Sequence, residues 1–185
     1  MKTKWNLDNM HSDVQFKVKH LVISTVTGTF GKFNGEIETE GNDFTNAKVH
    51  FTIDVNSIST GTEQRDGHLK SPDFFDVANH PTIDFISSSM KKKDDNNYIV
   101  EGDLTLHGVT KKVELVAEFG GTSKDMYGNF KAGFEVSGKI NRKDFGLSWN
   151  ALTEAGGMVV SEEVKLLANV QFAKVVPAEK EAVVA

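Results

Sequence analysis

The feature that most constrains this chain is a two-residue alternation of apolar and polar side chains, repeated in eight separate rows. Val14, Phe16, Val18 and His20 interleave with Gln15, Lys17 and Lys19. The spacing returns at Phe33, Gly35 and Ile37, then at Ala47, Val49, Phe51, Ile53 and Val55. Ile83 and Phe85 open a fourth row whose later inward positions, Ser87 and Ser89, are polar. Tyr98 to Leu106, Val113 to Phe119, Phe130 to Ile140 and Val164 to Phe172 supply the remaining four. Successive side chains of a strand point to opposite faces, so each row reads as a strand with one apolar face.

Eight such strands, most joined by short polar turns, must bury eight apolar faces and leave no long bare edge. A sheet closed on itself does both. The expected fold is therefore all-β, an eight-stranded antiparallel up-and-down barrel, with a β-sandwich of the same strands as the alternative. At eight strands a barrel interior is either filled by side chains or holds one small ligand. The inward rows mix bulky Phe with Gly35, Gly102, Gly138, Ala117, Ala132 and Ala168. Small residues at that frequency favour a cavity over a solid core.

The alternation stops between Thr60 and Phe85, and a short helical crossover is expected near residues 61–76. Thr60 and Glu63 have capping-box spacing. Gly67 weakens the helix that follows, at about 1 kcal/mol relative to Ala. Ser71 before Pro72 reads as a second N-cap with proline at the first helical position. Phe74 and Phe75 would sit in that turn, closing one end of a core or touching a ligand. Arg65, Asp66 and His68 form a charged group, and an ion pair of Arg65 with Asp66 or Asp73 is the bland account of the arginine. Gly31 beside Phe30 suggests a bulge or kink.

A chain of 185 residues, 38% hydrophobic, suits one domain over residues 1–176, with 177–185 as a flexible tail. Sixteen Gly and thirteen Phe against three Pro fit twisted sheets with frequent turns. A net charge of −5 argues against nucleic acid as a partner, which needs a basic footprint. The absence of cysteine removes disulfides, thiol catalysis and thiolate metal sites. No apolar stretch of signal-peptide length follows Met1, so the chain as written is expected in the cytoplasm, and in the periplasm if an export signal has been removed.

Trp5-Asn-Leu-Asp8, His11-Ser12, Phe16-Lys-Val-Lys-His20, Gly28-Thr-Phe-Gly-Lys-Phe33, Ser57-Ile-Ser-Thr60, Arg65-Asp-Gly-His-Leu-Lys-Ser71, Asp73-Phe-Phe-Asp76, His80-Pro-Thr-Ile-Asp-Phe85, Gly102-Asp-Leu-Thr-Leu-His-Gly-Val-Thr110 and Arg142-Lys-Asp-Phe-Gly146 follow one another in that order. Together they resemble the successive motifs of the YceI-like polyisoprenoid-binding family, over roughly residues 4–175. The resemblance implies a lipocalin-like barrel whose apolar pore holds an isoprenoid chain or another amphiphile such as a fatty acid, often in a homodimer. Family members are commonly periplasmic, and the chain departs from them in lacking an export signal as written.

On that reading the inward rows nominate Phe16, Val18, Phe33, Phe51, Ile53, Phe85, Leu104, Leu106, Phe134, Val136 and Ile140 as pore lining, each equally at home in ordinary core packing. His20 is the inward residue suited to a hydrogen bond with a polar head, and Arg65 with His68 supplies positive charge; an arginine fork matches a phosphate. Arg142, Lys143 and Asp144 before Phe145 are placed at the other rim, with Trp149 nearby. No catalytic residue, cofactor or metal is expected, and the partners are an amphiphilic lipid, a second copy of the chain and, transiently, a membrane. An enzyme is the rival class, yet HExxH, His-x-His and GxSxG are all missing, and the six histidines are scattered, with His50 and His107 outward by parity. A filled barrel acting as a stress-related structural or interaction protein is the third.

Overall fold

The computed structural model describes residues 1–152 and 157–177. Eleven strands form one antiparallel sheet: β1 (Lys2–Leu7), β2 (Asp13–His20), β3 (Ser24–Phe30), β4 (Phe33–Glu40), β5 (Asp43–Asp54), β6 (Ile58–Ser59), β7 (Thr82–Lys92), β8 (Asn97–Leu106), β9 (Val109–Lys124), β10 (Phe130–Asn141) and β11 (Val160–Lys174). One helix, α1 (Glu63–Lys70), lies in the crossover between β6 and β7. The sheet closes because β11 pairs with β1, giving the ring β1-β4-β5-β7-β8-β9-β10-β11. That is the expected eight-stranded antiparallel barrel, and closure leaves its members no bare edge.

Two staves of the barrel are broken, and the sequence rows captured only half of each. β11 pairs with β1 through Phe172–Lys174 and with β2 between Val160 and Asn169, so β1 and β2 run consecutively along one edge. β3 and β4 do the same beside them, divided at Gly31 and Lys32. The interruption after β1 is stitched to β11: Asp8 N donates to the Gln171 carbonyl at 2.7 Å, and Gln171 N donates to Ser12 Oγ at 3.0 Å. Asp8 Oδ2 also accepts from Lys131 Nζ at 2.8 Å, with both side chains about 85% buried.

The hydrogen bond from Lys131, helped by His11, holds the Asp8 carboxyl below the ordinary carboxylate range. A depressed folded pKa contributes stability that is present above the unfolded value of about 3.9 and is lost as pH falls through the lower folded value. The urea midpoint of the native chain should therefore exceed that of Asp8→Asn at neutral pH, and the gap should close in acid. A gap that is the same at pH 3 and pH 7 would mean the ion pair contributes nothing.

The apolar faces point into the barrel as the alternation requires; of the small inward residues Ala117 and Ala168 line open space, but the glycines do not leave the room expected of them. A Cβ on Gly28 would lie 2.1 Å from the Phe16 ring, and one on Gly35 would lie 2.6 Å from Phe51. Each glycine seats the aromatic ring of its cross-strand partner, Phe16 opposite Gly28 and Phe51 opposite Gly35. The weak fourth row is explained by a bulge in β7 between Ser87 and Ser89. Ser87 Oγ accepts from Val49 N at 2.8 Å, and the shifted phase sends Met90 inward to 2% exposure.

One end of the barrel is shut. Trp5, fully buried, packs on Phe44 at 5.2 Å between ring centroids, and Phe44 meets Phe119 at 5.5 Å and Phe134 at 5.0 Å. Trp5 Nε1 donates to Thr39 Oγ1 at 3.0 Å, so the indole's polar handle is satisfied inside.

The crossover covers the opposite end, with two departures from expectation. Thr62, not Thr60, is the N-cap of α1, and it makes no side-chain capping bond. Thr60 instead donates through N and Oγ1 to Asp66 Oδ1 at 2.8 and 2.6 Å. After α1, residues 72–75 form a turn, not a second helix: Phe74 N and Asp76 N both donate to the Ser71 carbonyl at 3.0 Å. The sequence places a break before the eighth row at Ala155-Gly156-Gly157, whose first two residues lie outside the described residues, as does 178–185 of the expected tail.

Candidate functional site

Inside the barrel are two cavities that meet at a collar of Phe16, Phe30, Ile83, Leu106, Ile140 and Leu166. The inner one, about 190 Å³, is lined by apolar residues from nearly every stave with Gln15 as its single polar member. The outer one, about 280 Å³, lies between the barrel rim, α1 and the segment following β10. Polar groups gather only in the outer cavity, where Lys19, His20, Arg65, His68 and Arg142 join the lining. The site is thus a tube closed by aromatics at one end and bordered by cations at the other.

Most of the residues expected to line a pore do so. Phe16, Leu106 and Ile140 belong to the collar; Phe51, Ile53, Phe85, Leu104, Phe134 and Val136 line the inner cavity; Val18, His20 and Arg65 line the outer. Phe33 and Phe145 are corrections. Phe33 is buried but stacked on Phe51 at 5.9 Å, outside the lining of either cavity. Phe145, 2% exposed, belongs to a 3-10 turn and packs in the core beneath the rim. Val26 and Phe30 of β3 line the tube although their row was not singled out. The alternation Val26, Gly28, Phe30 was there to be found, diluted by threonines and by a glycine at the inward position.

Arg65 is not in the ion pair that the sequence suggested. Its Nε donates to Thr60 Oγ1 at 2.7 Å and its Nη2 to the Thr60 carbonyl at 2.6 Å, leaving Nη1 toward solvent or a ligand. Asp66 is engaged with Thr60, and Asp73 Oδ2 lies 2.8 Å from His68 Nε2. His68 meets Trp149 edge-on at 4.8 Å and Phe74 at 5.1 Å, and Phe74 meets Trp149 at 5.2 Å. These rings and Phe75, which touches Phe30 at 6.3 Å, form the roof of the outer cavity.

Arg142 belongs to this same end of the tube, not to an opposite rim. It is 3% exposed, and its guanidinium donates to four backbone carbonyls, Ser161 at 2.8 Å, Leu147, Trp149 at 2.9 Å and Val160 at 3.3 Å. Burial lowers its pKa, with Glu162 opposing. Among the described residues no carboxylate lies within ion-pairing distance of it, so its buried charge is met by the four carbonyl dipoles and, at longer range, by Glu162.

The histidines are less scattered than the sequence suggested. His107 is not on an outward strand face; it sits half-buried in the β8–β9 turn at φ 52°. Its ring centroid is 4.8 Å from that of His80. His50 is exposed, as expected from its parity.

The YceI-like domain model matches residues 5–172. A UPF0312 protein of Staphylococcus epidermidis is 42% identical over 171 residues, covering 92% of this chain and 97% of its own, and a Staphylococcus aureus UPF0312 protein is 38% identical over the same span. Among solved structures, the Campylobacter jejuni YceI protein has 32% identity and a TM-score of 0.72, covering 84% of this chain and 88% of its own. Burkholderia cenocepacia BcnA superposes at a TM-score of 0.78 with 22% identity, covering 89% and 98%. A polyisoprenoid-binding domain from Saccharophagus degradans superposes at 0.63 with 20% identity, covering 91% and 97%. With the model match spanning all eight staves and these relatives aligned along nearly their whole length, the chain belongs to the YceI-like family.

Proposed function

We propose that the protein binds and carries an amphiphilic lipid, an isoprenoid or fatty-acyl-like chain, with its tail in the inner cavity and its polar head at the cationic end. The observation that carries this reading is the separation along one tube of a lining apolar but for Gln15 from a mouth bordered by His20, Arg65 and Arg142. The naming of the Saccharophagus domain as polyisoprenoid-binding supports the ligand class. Burying the tail gains about 25 cal/mol per Å² of apolar surface, so a few hundred Å² offsets the cost of association without any bond being broken. Binding, not turnover, is the role.

The mouth also exposes apolar side chains. Val22 and Ile23 are 80% and 86% exposed at the tip joining β2 to β3, and Leu152 is 71% exposed across the same rim. Lys19 lines the mouth beside them. Such a rim suits transient contact with a lipid surface during loading, and we include a homodimer in the proposal.

Native mass spectrometry of protein purified without detergent, set against organic extraction of the same sample, tests the reading. An added mass that extraction removes is expected, and the same spectra count the protomers. Protein that is empty and ignores added prenyl lipids would favour a scaffold. Arg65→Ala should weaken lipids with an anionic head by about two- to fivefold, the range of an exposed charge contact. Affinity for a head-free isoprenoid should stay unchanged; an equal loss for both ligands would remove Arg65 from the head-group site.

A further inference from the structure

Outside the lipid tube, one group of side chains among the described residues has the chemistry of a metal site. Asp76, His80 and His107 each offer one ligand atom, and those atoms all lie within 4.8 Å of one another. We propose that these three residues bind one divalent transition-metal ion of the zinc class, which fastens the crossover to the β8–β9 turn at the rim of the barrel.

The donor set fits that class. Two imidazoles and a carboxylate suit zinc and its first-row neighbours, and three protein ligands leave a position open for water. The orientation of each ligand is already set. His107 Nδ1 lies 3.1 Å from the Phe145 carbonyl, which can only accept, so the proton resides on Nδ1 and Nε2 keeps its lone pair. A backbone carbonyl behind a histidine is the usual way a protein fixes the tautomer and plane of a metal ligand. Asp76 Oδ2 accepts from Asn79 Nδ2 at 2.8 Å, while Oδ1 takes no hydrogen bond among the described residues. The Asp76 carbonyl accepts from His80 N at 2.8 Å, which holds the two ligands on one tight turn.

The backbone is bent to bring the group together. Asp76 and His107 have φ of 49° and 52°, in the left-handed region, uncommon for residues that carry a side chain though less so for Asp and His. Strain of that kind concentrates at functional sites. Room for the rings is made by glycine: a Cβ on Gly108 would lie 2.7 Å from His80 Cε1, and one on Gly146 would lie 3.2 Å from His107 Nδ1. A hydrogen-bonded loop would need neither the paired imidazoles nor the cleared space. None of the three residues lines either cavity, so the ion would hold the roof in place without touching the lipid.

The test is titration of chelator-treated full-length protein with cobalt(II) chloride, read by visible d–d absorption, and with zinc chloride, read by calorimetry and thermal melting. One ion per chain and a melting temperature that rises with zinc are expected. His80→Gln and His107→Asn should each weaken zinc at least about tenfold, since losing even a second-shell partner costs 10- to 100-fold, and should abolish the thermal shift. Asn at 107 tolerates the left-handed backbone and can still donate to the Phe145 carbonyl; if that variant fails to fold, Asp76→Asn replaces it under the same expectation. Wild-type protein that binds no ion, or variants that bind as tightly as wild type, would overturn the site. Lipid loading measured with and without chelator is a separate readout, so failure of the metal site leaves the carrier reading standing.

Discussion

Arg142→Met is expected to lower the unfolding free energy by about 3–5 kcal/mol, because it strands several buried carbonyls that now accept from a charged donor. Four carbonyls converge on this guanidinium, and two of them, at Leu147 and Trp149, belong to the segment that roofs the outer cavity. Each buried acceptor left without a donor costs about 1–3 kcal/mol. The apolar volume of Met replaces the stem but none of the five donors. Lysine does little better, since its compact ammonium cannot fork between Val160 and Ser161 on one side and Leu147 and Trp149 on the other. Urea denaturation measures the effect as a fall in midpoint at unchanged slope. A change under about 1 kcal/mol would mean that water substitutes for the arginine and that the roof is not held by it. Faster lipid release from the variant is the functional counterpart, because the roof and its positive charge are lost together.

Arg142 also marks where sequence reasoning stops. The barrel was legible because alternation is a local property: inward Phe16 on β2 and Phe134 on β10 need only their neighbours to be assigned a face. What a residue meets across the barrel is not local. Gly35 reads as empty space in a list of inward positions, yet it is the seat of the Phe51 ring that β5 lays over it. Met90 was invisible because the bulge at Ser87 changes the phase of β7, and the cause of that bulge is bonding to Val49 on another strand. The charges fared worst. Arg65 was expected to face a carboxylate or a phosphate and Arg142 to close the other rim, and both are held by oxygens of Thr60 or of the main chain, which carry no sequence signature. His80 and His107, 27 residues apart, were counted among scattered histidines, and the crossover brings their rings together. Val49 with Ser87, His80 with His107, and Arg142 with Val160 and Ser161 are brought together only by the tertiary fold.

The closed end and the collar together make the length of the tube a selectable quantity, and Ala168→Phe tests it. Ala168 faces inward on β11, between Val136 of β10 and Val14 of β2, and lines the inner cavity. An apolar cavity of about 150 Å³ is large enough to hold a benzene ring, so a phenyl group on this residue takes up most of the 190 Å³ inside the collar. A lipid tail that reached the aromatic plug would lose the burial of about three methylenes at about 0.8 kcal/mol each. That is about 2.4 kcal/mol, or roughly fiftyfold in Kd. A short tail that ends in the outer cavity keeps its contacts, so its affinity should change less than about twofold by the same arithmetic. Because the ring fills space that is already void, overpacking strain of about 1–3 kcal/mol is offset by new contacts and the barrel should remain folded. Competition of long and short isoprenoid alcohols for a fluorescent fatty acid measures the split. Equal losses for both lengths would place the ligand outside the collar, and with it the claim that the interior of this barrel is the binding site would fall.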